Sequence, residues 1–249
     1  IKPIPKYSNI RFRQNIPANE HLTMQIANQV YKINTAANAL AFFKDGNPFY
    51  ITKRFDYKAY GSKIKQDDFA SIAGKTERNS GSNFKYSGSY EDIAILLKQN
   101  VSAWKVEIVK FFTLVVFNYL FCNGDAHLKN FSLQETDDGD YVLTPAYDLI
   151  NTSIHVDDGD FALHEGLIPK SEYSDIYSKT FHPCKDDFVT FATRIGVLPK
   201  KINSIIEMFA TEQPKVYHLI ENSFLEEKVK RMYKQSYQER LRRFQRSDR

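Results

Sequence analysis

At 249 residues, with 42% hydrophobic and 14% aromatic content, the chain is long enough to bury a substantial core, in one domain or two closely packed lobes, and disorder is not the default reading. Its 34 basic and 30 acidic residues leave a net charge of +4, too mild an excess to argue for direct nucleic-acid binding. The two cysteines, Cys122 and Cys184, belong to no CxxC pair, which excludes a disulfide framework and a zinc signature and fits a reducing cytoplasm.

The chain opens IKPIPK, with neither an initiator Met nor a charged-then-apolar leader. These residues read as the end of a strand, so residues N-terminal to Ile1 are expected in the natural protein. Leu22, Ile26 and Val30 then recur at four-residue steps and predict a helix over 19–30, with Asn15 or Asn19 as cap and Pro17 early in it. Two apolar runs around Lys44–Asn47 predict a β-hairpin. The stretch GKTERNSGSNFKYSGS, 74–89, is rich in Gly, Ser and Asn and predicts a mobile loop or a connection between lobes. Its Gly74-Lys75-Thr76 lacks the earlier glycine of a P-loop, since Phe69 stands there, and is no nucleoside-triphosphate motif.

Residues 90–99 and 103–121 predict helices. The apolar segment from Ile108 to Cys122 carries Lys110 and Asn118 and is shorter than the roughly 20 residues a membrane span requires, so it reads as a buried core helix. Directly after it comes NGDAHLKN, and then a second hairpin around Asp137-Asp138-Gly139 that leads into AYDL, 146–149. The His- and Asp-rich HVDDGDFALHE, 155–165, misses the calcium-loop pattern and reads as an acidic loop; His182 and His218 read as isolated. From Lys185 onward the pattern is helical, with boundaries at Pro199 and Pro214. The basic end, with Val229, Met232, Tyr233 and Tyr237 at helical spacing, reads as a solvated amphipathic helix, contact with DNA phosphates beside a DNA-binding partner being the alternative.

Phosphoryl transfer from ATP requires Mg²⁺ held by hard oxygen ligands, a cation on the phosphates and a carboxylate beside the attacking hydroxyl. A kinase-type catalytic loop supplies part of this as Asp, four residues, Asn. Asp125 and Asn130 have that spacing, no other Asp–Asn pair in the chain does, and Asp148 follows at the end of the second hairpin. The spacing alone supports Mg²⁺-dependent phosphoryl transfer. The plainer alternatives are a turn-forming Asp125 after Gly124 and a helix-capping Asp148.

The stretches FCNGDAHLKNFSL and LTPAYDL, with IKPIP, NEHLTMQIA, YITKRFD and KQDDFASIAG in the same order, resemble the HipA family of bacterial serine/threonine kinases, whose best-known members are toxins of toxin–antitoxin pairs. The resemblance runs from Ile1 to about Leu149 and more loosely beyond. It implies an α+β, protein-kinase-like fold: a partial N-terminal lobe over 1–73 (lysine strand, helix, hairpin) and a mainly helical C-terminal lobe over 74–249 carrying the catalytic loop and the metal-binding Asp. It further implies Asp125 as catalytic base, Asn130 and Asp148 as Mg²⁺ ligands, Lys2 on the ATP phosphates and Glu20 as its partner. Backbone groups of Lys53 and Phe55 would meet the adenine, His127 and Lys129 would lie near the phosphates, and Tyr147 would border the nucleotide. Core packing is the alternative for Phe55 and Tyr147.

The family's glycine-rich, serine-containing phosphate loop lies N-terminal to the lysine strand, before the first residue of this sequence. What the resemblance implies is a kinase acting on a protein substrate, with aminoacyl-tRNA synthetases as candidates because some members modify them. It also implies an antitoxin partner and DNA contact only through that antitoxin; the short apolar segment from Ile108 argues against a membrane partner. A small-molecule phosphotransferase and a non-catalytic nucleotide-binding regulatory subunit are the alternatives.

Overall fold

A computed structural model describes residues 1–7, 9–58 and 60–248. Strand β1 (Lys2–Pro3) precedes helix α1 (Ile16–Gln29) and strands β2 (Asn38–Phe42) and β3 (Pro48–Thr52). Next come β4 (Gln66–Asp68), the short helices α2 (Phe69–Ile72) and α3 (Glu77–Ser80), and the longer α4 (Tyr90–Asn100) and α5 (Trp104–Leu120). Strands β5 (Ser132–Glu135) and β6 (Tyr141–Leu143) lead into irregular chain. Helices α6 (Asp175–Thr180), α7 (Lys185–Arg194), α8 (Pro199–Ala210), α9 (Pro214–Glu221) and α10 (Glu227–Phe244) follow.

Two small antiparallel sheets, ordered β1-β3-β2 and β4-β5-β6, flank a helical body. In the first, the predicted hairpin closes through Phe43 N–H to the Asn47 carbonyl at 2.9 Å, with Gly46 at φ 84, a conformation that costs glycine little. Lys2 stands opposite Tyr50 in this sheet, so β3 fixes the height of the Lys2 side chain. An isolated parallel bridge, Thr35 to Ala146, joins the two halves: Ala36 N–H reaches the Ala146 carbonyl at 2.9 Å and Ala146 N–H the Asn34 carbonyl at 2.8 Å. That bridge holds the segment carrying Asp148 under the first sheet.

Helix α1 starts at Ile16, earlier than the apolar spacing alone indicated, with Pro17 in its first turn. Asn15 occupies the cap position without capping. Its amide instead donates to Glu226 Oε1 at 3.0 Å and its Oδ1 accepts from Glu226 N–H at 2.9 Å, tying the start of α1 to the start of α10.

Helix α5 is the central post. Ile108, Phe111, Phe112, Val115, Val116, Phe117 and Leu120 are buried and make its second half apolar nearly all round, while Lys105, Val106 and Lys110 near its start stay exposed. It packs against α4, α8 and α10. Its buried Glu107 bonds Lys110 at 2.6 Å and accepts from Leu143 N–H at 3.0 Å, so the charge is paired and β6 is held to the post. Helix α10 buries Val229, Tyr233, Tyr237, Leu241 and Phe244 as one stripe, with Tyr237 stacked on Phe121 at 5.1 Å. No helix among the described residues is long and apolar enough to cross a membrane.

The segment 74–89 contains α3 and one 3-10 turn at Phe84–Tyr86. In 155–165, His155 is buried; its Nδ1–H donates to the Arg11 carbonyl at 2.8 Å and its Nε2 accepts from Asn19 Nδ2 at 2.8 Å. Asp160 pairs with Arg240 and lies 2.8 Å from His182 Nδ1, so His182 is not isolated. These side chains serve internal packing.

Candidate active site

At the end of α5, Cys122 takes a left-handed conformation, φ 54, and Asn123 N–H turns back to the Asn118 carbonyl at 2.8 Å. The Asn123 amide donates to Asn118 Oδ1 at 2.8 Å and to the Asp148 carbonyl at 3.3 Å. Asn118, the polar interruption in an apolar helix, thus anchors the loop above it. Through Asn123 the same helix end reaches the backbone of Asp148.

Gly124 N–H donates to Thr152 Oγ1 at 2.9 Å, and a Cβ at Gly124 would lie 2.4 Å from Asp158 Cβ. Asp158 Cβ moves only with its backbone. Gly124→Ala is therefore expected to cost about 3 kcal/mol, the high end for overpacking, measured as a lowered urea midpoint at unchanged m-value.

Asp125 projects from this loop with its side chain 49% exposed. His127 Nε2 is 3.8 Å from Asp125 Oδ1, and Tyr86 Oη donates to that same oxygen at 2.8 Å. Burial lowers the imidazole of His127 from its ordinary value, only partly offset by Asp125, which keeps it neutral at physiological pH. Burial and the Asp125 charge both push the Tyr86 phenol up, so Tyr86 is the donor in this pair.

Facing the loop, Lys2 Nζ bonds Glu20 Oε1 at 2.8 Å and Asp148 Oδ1 at 2.5 Å. Burial works against the Lys2 charge, but Glu20 and Asp148 outweigh it and hold the ammonium above its ordinary value. Glu20, 4% exposed, is pushed up to about 7 by burial despite the pull of Lys2, with Asp148 adding to the rise. Asn19, next to Glu20 on α1, donates to the Asn151 carbonyl at 2.9 Å and so fixes the helix against the chain just beyond Asp148.

A raised carboxyl stabilises the fold fully below its unfolded value of 4.5, and that stability is lost as pH rises through about 7. His21, His127 and His155, all lowered by burial, push the opposite way at acid pH. The difference in unfolding free energy, wild type minus Glu20→Gln, isolates the carboxyl. It is expected to fall by up to about 3 kcal/mol between pH 4.5 and 7 and to be flat on either side, checked by denaturant titration across that range.

Asn130 Oδ1 accepts from His127 N–H at 3.2 Å, and Asn130 N–H donates to the His127 carbonyl at 2.9 Å, which closes the loop on itself. Lys129 Nζ turns to Asp68 Oδ2 at 2.6 Å; the other Asp68 oxygen caps α2 through Ser71 N–H at 2.8 Å. Lys53 N–H donates to the Ala37 carbonyl at 2.8 Å, so that donor is already engaged. Phe55 and Tyr147 lie 5.6 Å apart, and Tyr147 Oη bonds Ser132 Oγ at 2.6 Å and the Lys129 carbonyl at 2.8 Å.

The structure therefore brings Lys2, Glu20 and Asp148 into contact and sets His127 beside Asp125. Lys129 is directed to Asp68. Tyr86, Asp68 and Asn123 were not singled out in the sequence. For Tyr86 the one available cue was an aromatic residue inside a Gly/Ser-rich stretch.

Among the described residues no cluster of three or more His, Cys, Asp or Glu forms a closed metal cage. Asn130 and Asp148 offer an amide oxygen and a carboxylate, the sparse hard-oxygen set that suits Mg²⁺ completing its shell with phosphate oxygens and water.

A small antiparallel sheet whose lysine bonds a helix glutamate, above a helix-borne loop and a following aspartate, is the plan of the protein-kinase-like fold. The chain belongs to the HipA-like C-terminal domain family, whose profile matches residues 1–217. A Haemophilus influenzae protein provisionally named a kinase is 27% identical over 225 residues, covering 83% of this chain and 64% of that protein. The Sinorhizobium fredii protein Y4dM, named in the same provisional way, is 35% identical over 111 residues, 44% of this chain and 25% of its own length. The chain thus spans less than two thirds of these relatives.

Among solved structures, Shewanella oneidensis HipA, in a complex with HipB and operator DNA, matches with a TM-score of 0.66 at 20% identity, covering 92% of this chain and 56% of that one. The Helicobacter pylori proinflammatory kinase CtkA matches with a TM-score of 0.60 at 16% identity, covering 92% and 83%. Both likenesses are of fold.

Proposed function

We propose that this chain is the core of an ATP- and Mg²⁺-dependent protein kinase of HipA type that phosphorylates serine or threonine hydroxyls. The observation that carries the reading is Lys2, whose ammonium bonds both Glu20, 18 residues away, and Asp148, 146 residues away. A cation so placed, on the aspartate whose backbone is tied through Asn123 to the loop carrying Asp125, suits phosphate binding.

In this reading residues 1–73 form the small lobe and 74–249 the large one. Lys2 moves from Asp148 onto the α- and β-phosphates while Glu20 holds it in place. Asn130 and Asp148 hold Mg²⁺, which when bound neutralises charge on the phosphates. Asp125 accepts the proton of the attacking hydroxyl, with His127 beside it. The Lys53 carbonyl, free of the bond its N–H makes, and the Phe55 backbone meet the adenine edge, with the Phe55 and Tyr147 rings against its face. Lys129, on leaving Asp68, offsets charge on the transferred phosphoryl group.

The Shewanella complex supports an antitoxin partner that would bring the protein to DNA; the target in this reading is a protein, with an aminoacyl-tRNA synthetase as a candidate. The test is incubation of the full-length protein with Mg²⁺ and γ-labelled ATP in a cell extract. Label on extract proteins that needs Mg²⁺ supports the reading. Nucleotide binding without transfer to any protein overturns it in favour of a regulatory subunit or a small-alcohol kinase.

A further inference from the structure

Where α5 and α8 meet the chain that follows α1 and the stretch from β6 to Ala146, a cleft of about 350 Å³ opens. That is within the size range of sites that hold small molecules. Half-buried Ile33, Val109, Leu114, Leu143 and Met208 line it, beside the buried Tyr31, Phe131 and Ile205. Among the described residues assigned above to nucleotide, metal or proton transfer, only Asn130 borders it, and the Asn130 side-chain oxygen is turned to His127 N–H at 3.2 Å.

Much of the polar wall is already engaged. Thr113 Oγ1 donates to the Val109 carbonyl at 2.7 Å, Ser132 Oγ bonds Tyr147 Oη at 2.6 Å, and the Asn34 carbonyl accepts from Ala146 N–H at 2.8 Å. The surface left for an occupant is therefore mainly apolar. Charge decides the occupant's other end. Lys32, Lys110 and Lys201 border the cleft, and among the described residues no Asp or Glu does. Lys110 is paired with Glu107 at 2.6 Å. Lys32 Nζ donates only to the Gln29 carbonyl at 3.1 Å, which leaves its charge uncompensated, and Lys201 forms no ion pair among the described residues. Two uncompensated cations beside an apolar cleft favour an anion that carries an apolar body and disfavour a cation of the same shape.

We infer that this cleft is a second ligand site, separate from the nucleotide cleft, and that it takes a small amphipathic carboxylate. The apolar body lies between α5 and α8 against Val109, Leu114 and Met208, and the carboxylate meets Lys201 and Lys32 at the rim. Lysine suits this end, because its flexible stem lets the ammonium follow a carboxylate while the stem itself covers apolar surface.

The experiment is calorimetric titration of the full-length protein with decanoate and with 1-decanol, its uncharged counterpart, beside Lys201→Glu and Ser204→Trp. Both residues are exposed on α8, so neither substitution disturbs the core. The expected result is one decanoate per chain, bound about tenfold more tightly than decanol. Lys201→Glu turns an attraction into a repulsion and should weaken decanoate by about tenfold while leaving decanol unchanged, which also shows that the cleft is intact. Ser204→Trp puts an indole at the cleft and should weaken both. A diazirine-bearing decanoate should attach on irradiation to residues 109–114 or 204–208, and saturating ADP should not displace it. The inference is overturned by the absence of saturable decanoate binding, or by decanol binding as tightly, which would leave an apolar surface without charge selection. Attachment elsewhere in the chain overturns it too, as does displacement by ADP, which would place decanoate in the nucleotide cleft. None of these outcomes bears on the kinase reading, which stands or falls on transfer of labelled phosphate.

Discussion

Replacing Asp125 with alanine is expected to lower phosphoryl transfer by about 10²- to 10⁴-fold while nucleotide affinity stays within a factor of about two, because a general base acts on the proton in flight and not on the bound nucleotide. Asp125 is half exposed and carries no packing, so the fold should be unaffected. Asp125→Asn sharpens the test. Its amide oxygen can still accept from Tyr86, which keeps the hydrogen bond now made at 2.8 Å, yet it cannot take up a proton at neutral pH. Transfer of labelled phosphate should therefore be lost equally in both variants, with binding by calorimetry unchanged in both. An Asp125→Asn protein that keeps most of its activity would show that the carboxylate does not serve as the base.

That Asp125 could be singled out from sequence, and Tyr86 could not, follows from what fixes each. Asp125, Asn130 and Asp148 are joined by one loop and one hairpin, and these local structures set their separation along the chain. Hairpin turns and an apolar helix are written in residue type and period, so β2, β3, β5, β6 and α5 were legible together with the loop between them. The Tyr86–Asp125 bond spans 39 residues and the Lys129–Asp68 bond spans 61. Neither has a spacing rule. Composition indicated that 74–89 was not regular core, but nothing in a Gly/Ser-rich stretch states where its two half-buried aromatics, Phe84 and Tyr86, will land. The same limit holds for Lys53, whose backbone was expected to meet the adenine and whose N–H is taken by the Ala37 carbonyl, a partner set by the bend of the chain before β2. Likewise Asn15 had the residue type and position of a helix cap, and a tertiary partner, Glu226, outcompeted the local bond.

Asp148→Asn is expected to have a comparably large effect on transfer, about 10²- to 10³-fold, for a reason visible in the backbone. Asp148 sits at φ 55, in the left-handed region where most side chains are strained and Asn and Asp are tolerated. Asparagine therefore keeps the chain path, whereas alanine would add roughly 1 kcal/mol of backbone strain to whatever the carboxylate does. What Asp148→Asn removes is charge: the ionic bond from Lys2 at 2.5 Å and the stronger of the two oxygen donors proposed for Mg²⁺. With that charge gone, Glu20 also loses a neighbour that raises its carboxyl, so the pH at which Glu20 titrates should move down from about 7. The two effects are measured separately, transfer by labelled phosphate at saturating Mg²⁺ and Glu20 by the pH dependence of stability against Glu20→Gln. A variant that loses transfer without moving the Glu20 titration would mean that Lys2, Glu20 and Asp148 do not share one electrostatic site.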